Sequence, residues 1–183
     1  MTQPVLTLTE SNTLQALGNF LVAVLPTGTP VIVSEDNRVA PPSVPNYVAM
    51  SSPMARKRLA TNLTTYADGY PSNPQTRTDV QATQLMVQVD VYGPLCADNA
   101  QVITTLFRSD WGVDQFATSG FDVTPLYCDD PRPSPFRDEN NQIERRQIIT
   151  CYLQANAAVT VSQDFASELS VGIVNVDVAY PAD

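Results

Sequence analysis

The clearest alternation of apolar and polar residues in the chain runs through Gln84–Tyr92. Successive side chains of a strand point to opposite faces, so alternate residues share a face. The segment is therefore predicted to be a strand that buries one face and ends at Gly93-Pro94. Its predicted buried residues are Leu85, Val87, Val89 and Val91.

Two other segments carry apolar residues at helical spacing. The first is predicted to begin at a capping Ser11 or Asn12 and to end at Pro26 and Gly28, because proline and glycine stop helices. The second is predicted to begin near Asp98, whose charge favours a helix N-terminus. The apolar residues of the two helices are Leu14, Leu17, Leu21, Val24 and Leu25, then Ala100, Ile103, Leu106 and Phe107.

The remaining patterned segments predict further strands and one short helix. The predicted strands are Val31–Val33, Tyr47–Met50, Arg56–Leu59, Val123–Cys128, Ile143–Asn156 and Val171–Ala179, and the short helix is Gln163–Leu169. Trp111 and Phe116 are expected to join Phe107 in the core around the second long helix. Strands interrupted by separate helices, without a βαβ rhythm, indicate an α+β fold with a mostly antiparallel sheet and two main helices packed on it.

Proline and glycine mark two segments between these elements. Arg38–Pro45 is proline-rich and lacks amide donors that a helix or a central strand needs, so it is predicted to be an extended arm or edge loop. Polar Thr64–Thr78 contains Gly69, Pro71 and Pro74 and is predicted to be a long loop. The 183 residues suit one domain, 1–183, with insertions at about 38–46 and 64–78.

Acidic side chains dominate the charge of the chain. Nineteen Asp and Glu residues against ten Lys and Arg residues give a formal net charge of −9. Affinity for a phosphate backbone comes largely from Lys and Arg, so most of the surface lacks a source of DNA affinity. An acidic channel would still let DNA slide through without binding. Composition therefore leaves open whether the protein surrounds DNA or never meets it.

The sequence lacks the residues that most catalytic sites need. Histidine is absent, which removes Ser-His and Cys-His nucleophile pairs and the commonest metal ligand. The seven glycines are scattered, so neither a P-loop nor a GxGxxG turn is present. We therefore expect no enzymatic activity and no cofactor.

Acidic residues leave one catalytic alternative. Asp129-Asp130 could bind Mg²⁺, and Asp138-Glu139-Asn140 has oxygen ligands suited to Ca²⁺. A polar strand end and a hairpin turn explain the same residues, and these interpretations are favoured. The alternative function is a metal-dependent hydrolase that uses Asp129, Asp130 and Glu144.

The three cysteines, Cys96, Cys128 and Cys151, are far apart and odd in number. They are expected to be buried reduced thiols rather than disulfides or zinc ligands. The N-terminus shows no basic region of a secretory signal, and the longest early apolar run, Phe20–Leu25, is too short to span a membrane. We expect a soluble intracellular protein that does not contact a membrane.

A series of short stretches, spread from the first helix almost to the C-terminus, carries a family resemblance. The stretches are Asn37-Arg38-Val39, Pro41-Pro42, Val48-Ala49-Met50, Arg58-Leu59, Thr61-Asn62, Tyr66, Val89-Asp90-Val91-Tyr92-Gly93-Pro94, Ala97-Asp98-Asn99-Ala100, Ile103-Thr104-Thr105-Leu106-Phe107-Arg108, Pro125-Leu126-Tyr127-Cys128-Asp129-Asp130-Pro131-Arg132, Glu144-Arg145-Arg146, Gln163-Asp164-Phe165-Ala166 and Tyr180-Pro181. In this order and spacing they resemble the phage neck terminator family, whose members are similar to the tail terminators of long-tailed phages.

The resemblance implies an α+β subunit that assembles into a hexameric ring between the head-closure protein and the tail tube. Such a ring caps the finished tube, joins it to the head and leaves a channel through which DNA passes without specific binding. The resemblance brings no catalytic residue and no cofactor. It implies a place in the neck of the virion and assembly in the host cytoplasm.

Arginine carries nearly all of the positive charge, because Lys57 is the only lysine. Arginine pairs with carboxylates through a planar fork and is enriched at protein interfaces, although codon bias in a GC-rich genome explains its use equally well. The candidate interface residues are Arg38, Arg56, Arg58, Arg108, Arg132, Arg145 and Arg146. The trio Arg56-Lys57-Arg58 could alternatively contact phosphate or form a solvated strand edge. Arg38–Pro45 and Thr64–Thr78 are further candidates to reach a neighbouring subunit.

Other structural parts of a phage neck or tail are alternatives to a terminator. A head-closure ring, a tail-completion protein and a tube subunit have small α+β or β-rich folds, and composition does not separate them. A tube subunit polymerises into long filaments, whereas a terminator stops as a closed ring. The form of the assembly therefore separates these two functions.

Overall fold

The computed structural model describes residues 3–34, 42–69, 75–137 and 141–165. These residues form three helices and eleven strands. The helices are α1 (Glu10–Val24), α2 (Cys96–Phe107) and α3 (Asp110–Thr118). The strands are β1 (Val5–Leu6), β2 (Val31–Val33), β3 (Tyr47–Met50), β4 (Ala55–Arg58), β5 (Leu63–Ala67), β6 (Thr76–Tyr92), β7 (Val123–Cys128), β8 (Arg132–Pro133), β9 (Phe136–Arg137), β10 (Ile143–Glu144) and β11 (Arg146–Ser162). The predicted α+β class is confirmed.

Two 17-residue strands, β6 and β11, form the centre of the sheet. They pair antiparallel along their whole length, from Tyr92 opposite Arg146 to Thr76 opposite Ser162. We call these two strands the central strand pair. At roughly 3.3 Å per residue the pair is about 55 Å long. Every other strand of the large sheet is attached to it directly or through one neighbour.

Three short strands lie along each side of the central strand pair. In order from its Tyr92 end, β3, β4 and β5 pair with β6, and β8, β7 and β1 pair with β11. β2 extends the sheet by pairing in parallel with β3, and β9 and β10 form a separate two-stranded sheet. Among the described strands β2–β3 is the one parallel pair, so the prediction of a mostly antiparallel sheet is confirmed.

The helices cover one face of the sheet near the Tyr92 end. All four residues predicted to line the buried face of β6 are buried there, together with Ile149, Cys151 and Leu153 of β11. Phe20 of α1, Phe107 of α2 and Phe116 of α3 meet above them with ring centroids 5.4–5.8 Å apart. Edge-to-face and tilted ring pairs of this kind each add about 0.5–1.5 kcal/mol beyond the burial of the rings. These aromatic contacts hold the three helices in one layer.

The first helix begins earlier than predicted. Thr9, not Ser11 or Asn12, is the cap: its hydroxyl oxygen accepts a hydrogen bond from the Asn12 backbone N–H at 3.2 Å. In return, the Asn12 side-chain oxygen accepts the Thr9 backbone N–H at 2.9 Å. This reciprocal pair of hydrogen bonds is a capping box. Asn12 takes the place of the usual Glu or Gln, so the sequence does not show the usual capping-box pattern. The predicted end before Pro26 is confirmed.

A third helix, α3, was not predicted. Ser109 caps it by accepting the Gly112 backbone N–H at 3.2 Å. Glycine has low helix propensity, so Gly112 is unfavourable within a helix. Packing requires glycine at this position, since a Cβ there would collide with the Leu106 carbonyl oxygen at the end of α2. Phe116 is buried in the core as expected, but on this separate helix, whereas Trp111 is exposed and touches the core through the Phe20 ring.

The prediction of a loop over Thr64–Thr78 was wrong at both ends of the segment, whereas residues 68, 69 and 75 are in neither a helix nor a strand. β5 spans Leu63–Ala67, and β6 already begins at Thr76. Among the described residues no helix covers this end of the sheet, so its strands need no apolar alternation, and β-branched Thr side chains favour strands. Opposite Thr78, for example, the Thr160 hydroxyl forms a 2.9 Å hydrogen bond across the central strand pair. Residues 70–74 lie outside the described residues.

Other boundaries differ or fall outside the described residues. The predicted strand Ile143–Asn156 is divided into β10 and β11, and β11 continues to Ser162. Residues 42–46 of the proline-rich arm are neither helix nor strand, whereas residues 38–41 are not described. Residues 163–165 of the predicted short helix are not helical, and the rest of that helix, the last predicted strand and Asp138-Glu139-Asn140 lie beyond the described ranges.

Candidate subunit interface

Strand β4 forms a basic edge of the sheet. It pairs with residues Thr83–Met86 of β6, and all four of its residues are exposed. Arg56 is 3.5 Å from Glu10 on α1, with both side chains about half exposed. Exposed ion pairs of this kind contribute about 0–1 kcal/mol. Arg56, Lys57 and Arg58 therefore present their charge mainly to solvent or to a neighbouring protein.

Arg108 has a bond within the subunit. It is the C-cap residue of α2, and its guanidinium donates a hydrogen bond to the carbonyl oxygen of Cys128 at the end of β7. The side chain thus connects the second helix to the edge of the sheet. The contact between Arg108 and Cys128 was not predicted from the sequence, because nothing in either segment indicates that the two residues meet.

Arg145 and Arg146 also bond within the subunit. Arg145 Nη1 donates to the Pro94 carbonyl oxygen at 3.1 Å. Arg146 Nε and Nη2 donate to the backbone and side-chain oxygens of Ser134 at 3.1 and 2.9 Å. Its guanidinium also lies 5.9 Å from the Tyr92 ring centroid. These arginines hold the segment after β7 against the Tyr92 end of the sheet.

The candidate arginines do not form one cluster. Arg56 and Arg58 are on the β6 side of the sheet, whereas Arg108 reaches β7 on the β11 side. Arg132 is exposed on β8, which is also on the β11 side. Arg38 lies outside the described residues. Their role at an interface remains a prediction.

An acidic surface that the sequence analysis missed lies on the β11 side. Asp110 and Asp114 are exposed on α3, one helical turn apart. Asp122 and Asp130 are exposed at the two ends of β7, which α3 packs against. The i, i+4 spacing of Asp110 and Asp114 was the available signal, but it has meaning only if the segment is recognised as a helix.

The carboxylates of the hydrolase alternative lie on separate elements. Asp129 follows β7 and donates its backbone N–H to the Thr150 carbonyl oxygen, whereas Glu144 is exposed on the separate β9–β10 sheet. In the ranges that the structure describes, no three acidic or cysteine side chains are grouped to hold a metal ion. The geometry therefore gives the hydrolase alternative no support.

The cysteines are placed as structural residues. All three are buried free thiols, and Cys128 and Cys151 face each other across β7 and β11. Burial raises the pKa of the Cys128 thiol and raises that of Cys151 well above its ordinary value. Because the thiolate is the reactive form, these two residues are poor nucleophiles.

A groove with a volume of about 730 Å³ lies between α1 and strands β2 and β3. Leu14, Val22, Val33 and Met50 contribute apolar surface to its lining. Glu10 is the one ionisable side chain among the lining residues, and it faces Arg56. The groove thus has the chemistry of a packing surface rather than of a catalytic pocket.

One face of the sheet carries Asp90 among aromatic residues. Burial raises the pKa of its carboxyl group, against the lowering effects of a hydrogen bond from Gln88 and the charge of Arg146. Gln88 Nε2 donates to both carboxylate oxygens at 3.0 and 3.1 Å. The nearby Tyr47 and Tyr92 rings are stacked with centroids 4.4 Å apart. These contacts fix a polar patch in the sheet without creating a recognisable catalytic arrangement.

Comparison with known families decides what kind of protein carries these surfaces. The model of the family described as phage neck terminator protein matches residues 12–178, which is nearly the whole chain. The chain belongs to the phage neck terminator protein family. It is accordingly a structural protein of the bacteriophage neck, located in the virion and in contact with other head or tail proteins. The family membership predicted from the sequence is confirmed.

Two further observations complete the comparison. No curated protein matches the sequence of this neck terminator protein. None of its three described helices has the length and apolar character needed to cross a membrane.

Proposed function

We propose that this neck terminator protein assembles into a closed hexameric ring that ends the tail tube and joins it to the head-closure complex. DNA passes through the ring without specific binding, and the protein acts without catalysis. Assembly takes place in the host cytoplasm before the ring becomes part of the virion. The proposal extends the family membership to a particular assembly.

The observation that carries the proposal is a set of exposed apolar side chains near the Thr76 end of the central strand pair, where the described residues form no helix. Val5, Leu6, Leu63 and Tyr66 are each more than half exposed on β1 and β5, which flank this end of the central strand pair. By the strand register, Val5 and Leu63 lie on one face of the sheet and Leu6 and Tyr66 on the other, so each face exposes apolar groups of the kind that another protein covers. A subunit of a neck assembly has such partners, whereas an isolated enzyme would have no use for this surface.

The charge of the chain supports a channel that does not hold DNA. The net charge is −9, and the structure places basic residues of β4 on an outer strand of the sheet. A subunit surface dominated by carboxylates repels the phosphate backbone. DNA would then pass through the ring rather than bind to it.

The arginine contacts divide the candidate interface residues into two groups. Arg108, Arg145 and Arg146 each donate to oxygens of their own chain, so we assign them first to holding the subunit together. Arg56, Arg58 and Arg132 are exposed and are the candidates for contacts between subunits. The outer strand and the segments around Arg38 would supply further contacts with a neighbour.

The decisive experiment measures the mass of the purified protein by native mass spectrometry and images the same sample by negative-stain electron microscopy. Closed rings of one size, which bind the end of purified tail tubes, are the expected result. Tubes of increasing length would instead identify a tube subunit. Particles that bind the head-closure complex but never the tube would identify a head-side protein, and a chain that stays monomeric even with tubes would refute the proposal.

A further inference from the structure

The two outer strands β4 and β7 lie at the same level of the sheet, on opposite sides. β4 pairs with β6 and β7 pairs with β11, and β6 and β11 pair with each other between them. One row across the sheet runs from Lys57 through Gln84 and Gln154 to Thr124. A subunit therefore has two lateral edges, and a neighbour on either side would meet a different strand.

The edge at β4, which we call the basic edge, combines cations with apolar side chains. Arg56, Lys57 and Arg58 are all exposed on the strand. Met54 and Leu59, immediately before and after it, are also exposed. The only ion pair at this edge within the described residues joins Arg56 to Glu10, so Lys57 and Arg58 have no charged partner there within 4 Å.

The edge at β7 and α3, which we call the acidic edge, has more acids than bases, with Arg108 and Arg132 as the cations on the same side of the sheet. Its exposed acids are Asp110, Asp114, Asp122 and Asp130, and none of them is in an ion pair with any other described residue. Its exposed apolar residues are Trp111, Val113 and Tyr127. The two edges of one subunit are therefore complementary in charge, and each carries the apolar surface that an interface core needs.

We propose that neighbouring subunits join by packing the basic edge of one chain against the acidic edge of the next. The inference rests on the proposed ring and names the surfaces that close it. Contact between different patches of identical chains is heterologous, and such contacts generate rings when the rotation closes. Identical edges repel each other because they carry like charges, so a two-fold dimer through either edge is disfavoured.

The arrangement also explains why the described part of the subunit leaves the four residues of β4 exposed. An outer strand presents unpaired backbone groups that invite pairing with other chains, and charged residues, Lys above all, oppose such pairing. Lys57 and its two arginines would prevent contact between two basic edges while leaving the acidic edge as a partner. One set of residues would thus both prevent the wrong contact and select the right one.

The test exchanges the charges of the two edges. The first variant carries Lys57→Glu and Arg58→Glu, which leaves the Arg56–Glu10 pair intact. The second carries Asp114→Lys and Asp130→Lys on the acidic edge. Arg137→Glu and Glu144→Lys, both exposed on the separate β9–β10 sheet, are control changes of charge away from the two edges. Circular dichroism and thermal unfolding confirm that each variant is folded.

Each edge variant alone is expected to need at least a tenfold higher concentration than wild type to form rings, because two edges of like charge now meet. An equal mixture of the two is expected to restore rings at wild-type concentration, since every contact again joins opposite charges. Native mass spectrometry should then find equal numbers of both variants in each ring. The control variants should assemble like wild type.

Two results would overturn the edge assignment: edge variants that assemble like wild type, or folded variants whose mixture does not recover. If wild-type rings form only on tail tubes, the same comparison is made there, with incorporation onto tubes as the readout. Wild-type rings with unaffected edge variants would refute this interface alone. The absence of wild-type rings under both conditions would refute the proposed function itself.

Discussion

At the scale of single residues, the structure shows positions whose chemistry is set by their immediate surroundings. Asp90 and Asp79 are both on β6 and both lie in the sheet, yet their environments have opposite effects. Burial raises the pKa of Asp90, whereas hydrogen bonds from Thr64 and Arg77 lower the pKa of Asp79. The close approach of the Leu106 carbonyl group leaves no room for a Cβ at Gly112. Each of these effects can be measured by a single substitution.

The two aspartates are expected to give opposite pH dependences. A raised pKa means that ionised Asp90 destabilises the fold, a penalty that grows as the pH rises from the unfolded pKa to the folded one. Asp90→Asn should therefore increase the unfolding free energy at pH 7, and the difference should shrink towards pH 3. Asp79→Asn should lower the unfolding free energy at pH 7, and this loss should also shrink on acidification. Urea unfolding at several pH values measures both, and effects of equal sign would contradict the assignment.

Two glycine substitutions are expected to change the unfolding free energy in opposite directions. Gly112→Ala places a methyl group against the Leu106 carbonyl, so the backbone must shift, at a cost of about 1–3 kcal/mol. Gly18→Ala is the matched control: its Cβ would lie 3.4 Å from the flexible end of Met50. Because alanine is the better helix former, this change should stabilise the protein by about 0.5–1 kcal/mol. Urea unfolding of both variants checks the pair, and a neutral Gly112→Ala would disprove the packing argument.

At the scale of elements, the sequence predicted those parts whose pattern is set by one buried face. The β6 alternation and the two long helices were recognisable because the same residues that define the period also form the core. α3 was missed because it is short and contains Gly112, and β5 because its Thr-rich strand has no apolar alternation. The basic edge was recognisable as a run of cations, whereas the acidic edge depends on α3 and on contacts between distant segments.

The central strand pair is expected to be unequally stable along its length. Helices cover its Tyr92 end, whereas its Thr76 end lies between short strands, and no helix of the described residues covers either face there. Local opening requires less free energy where few apolar contacts are lost. Backbone amides of residues 76–83 should therefore exchange with deuterium at least tenfold faster than those of residues 85–91. Uniform exchange along β6 would contradict this gradient.

At the scale of the whole molecule, neither the charge nor the hydrophobic pattern reveals an assembly by itself. A net charge of −9 describes the average, but the structure separates basic and acidic residues onto opposite edges of one sheet. The sequence could not show this separation, because β4 and β7 become opposite edges only through the pairing of β6 with β11. Family membership was accessible from the order of short stretches along the chain. The geometry of a neighbour contact required the fold.

The order of β6 and β11 along the chain also has a consequence for how the protein is made. Every pair that joins them links residues at least 54 positions apart, the separation between Tyr92 and Arg146. At roughly 5–20 residues per second, a ribosome needs several seconds to supply β11 after β6 is complete. During that time the backbone N–H and C=O groups of β6 that later pair with β11 have no partner, and the apolar side chains of β6 are exposed. Such distant pairing also slows folding, so a lower growth temperature or added chaperones should increase the yield of native protein.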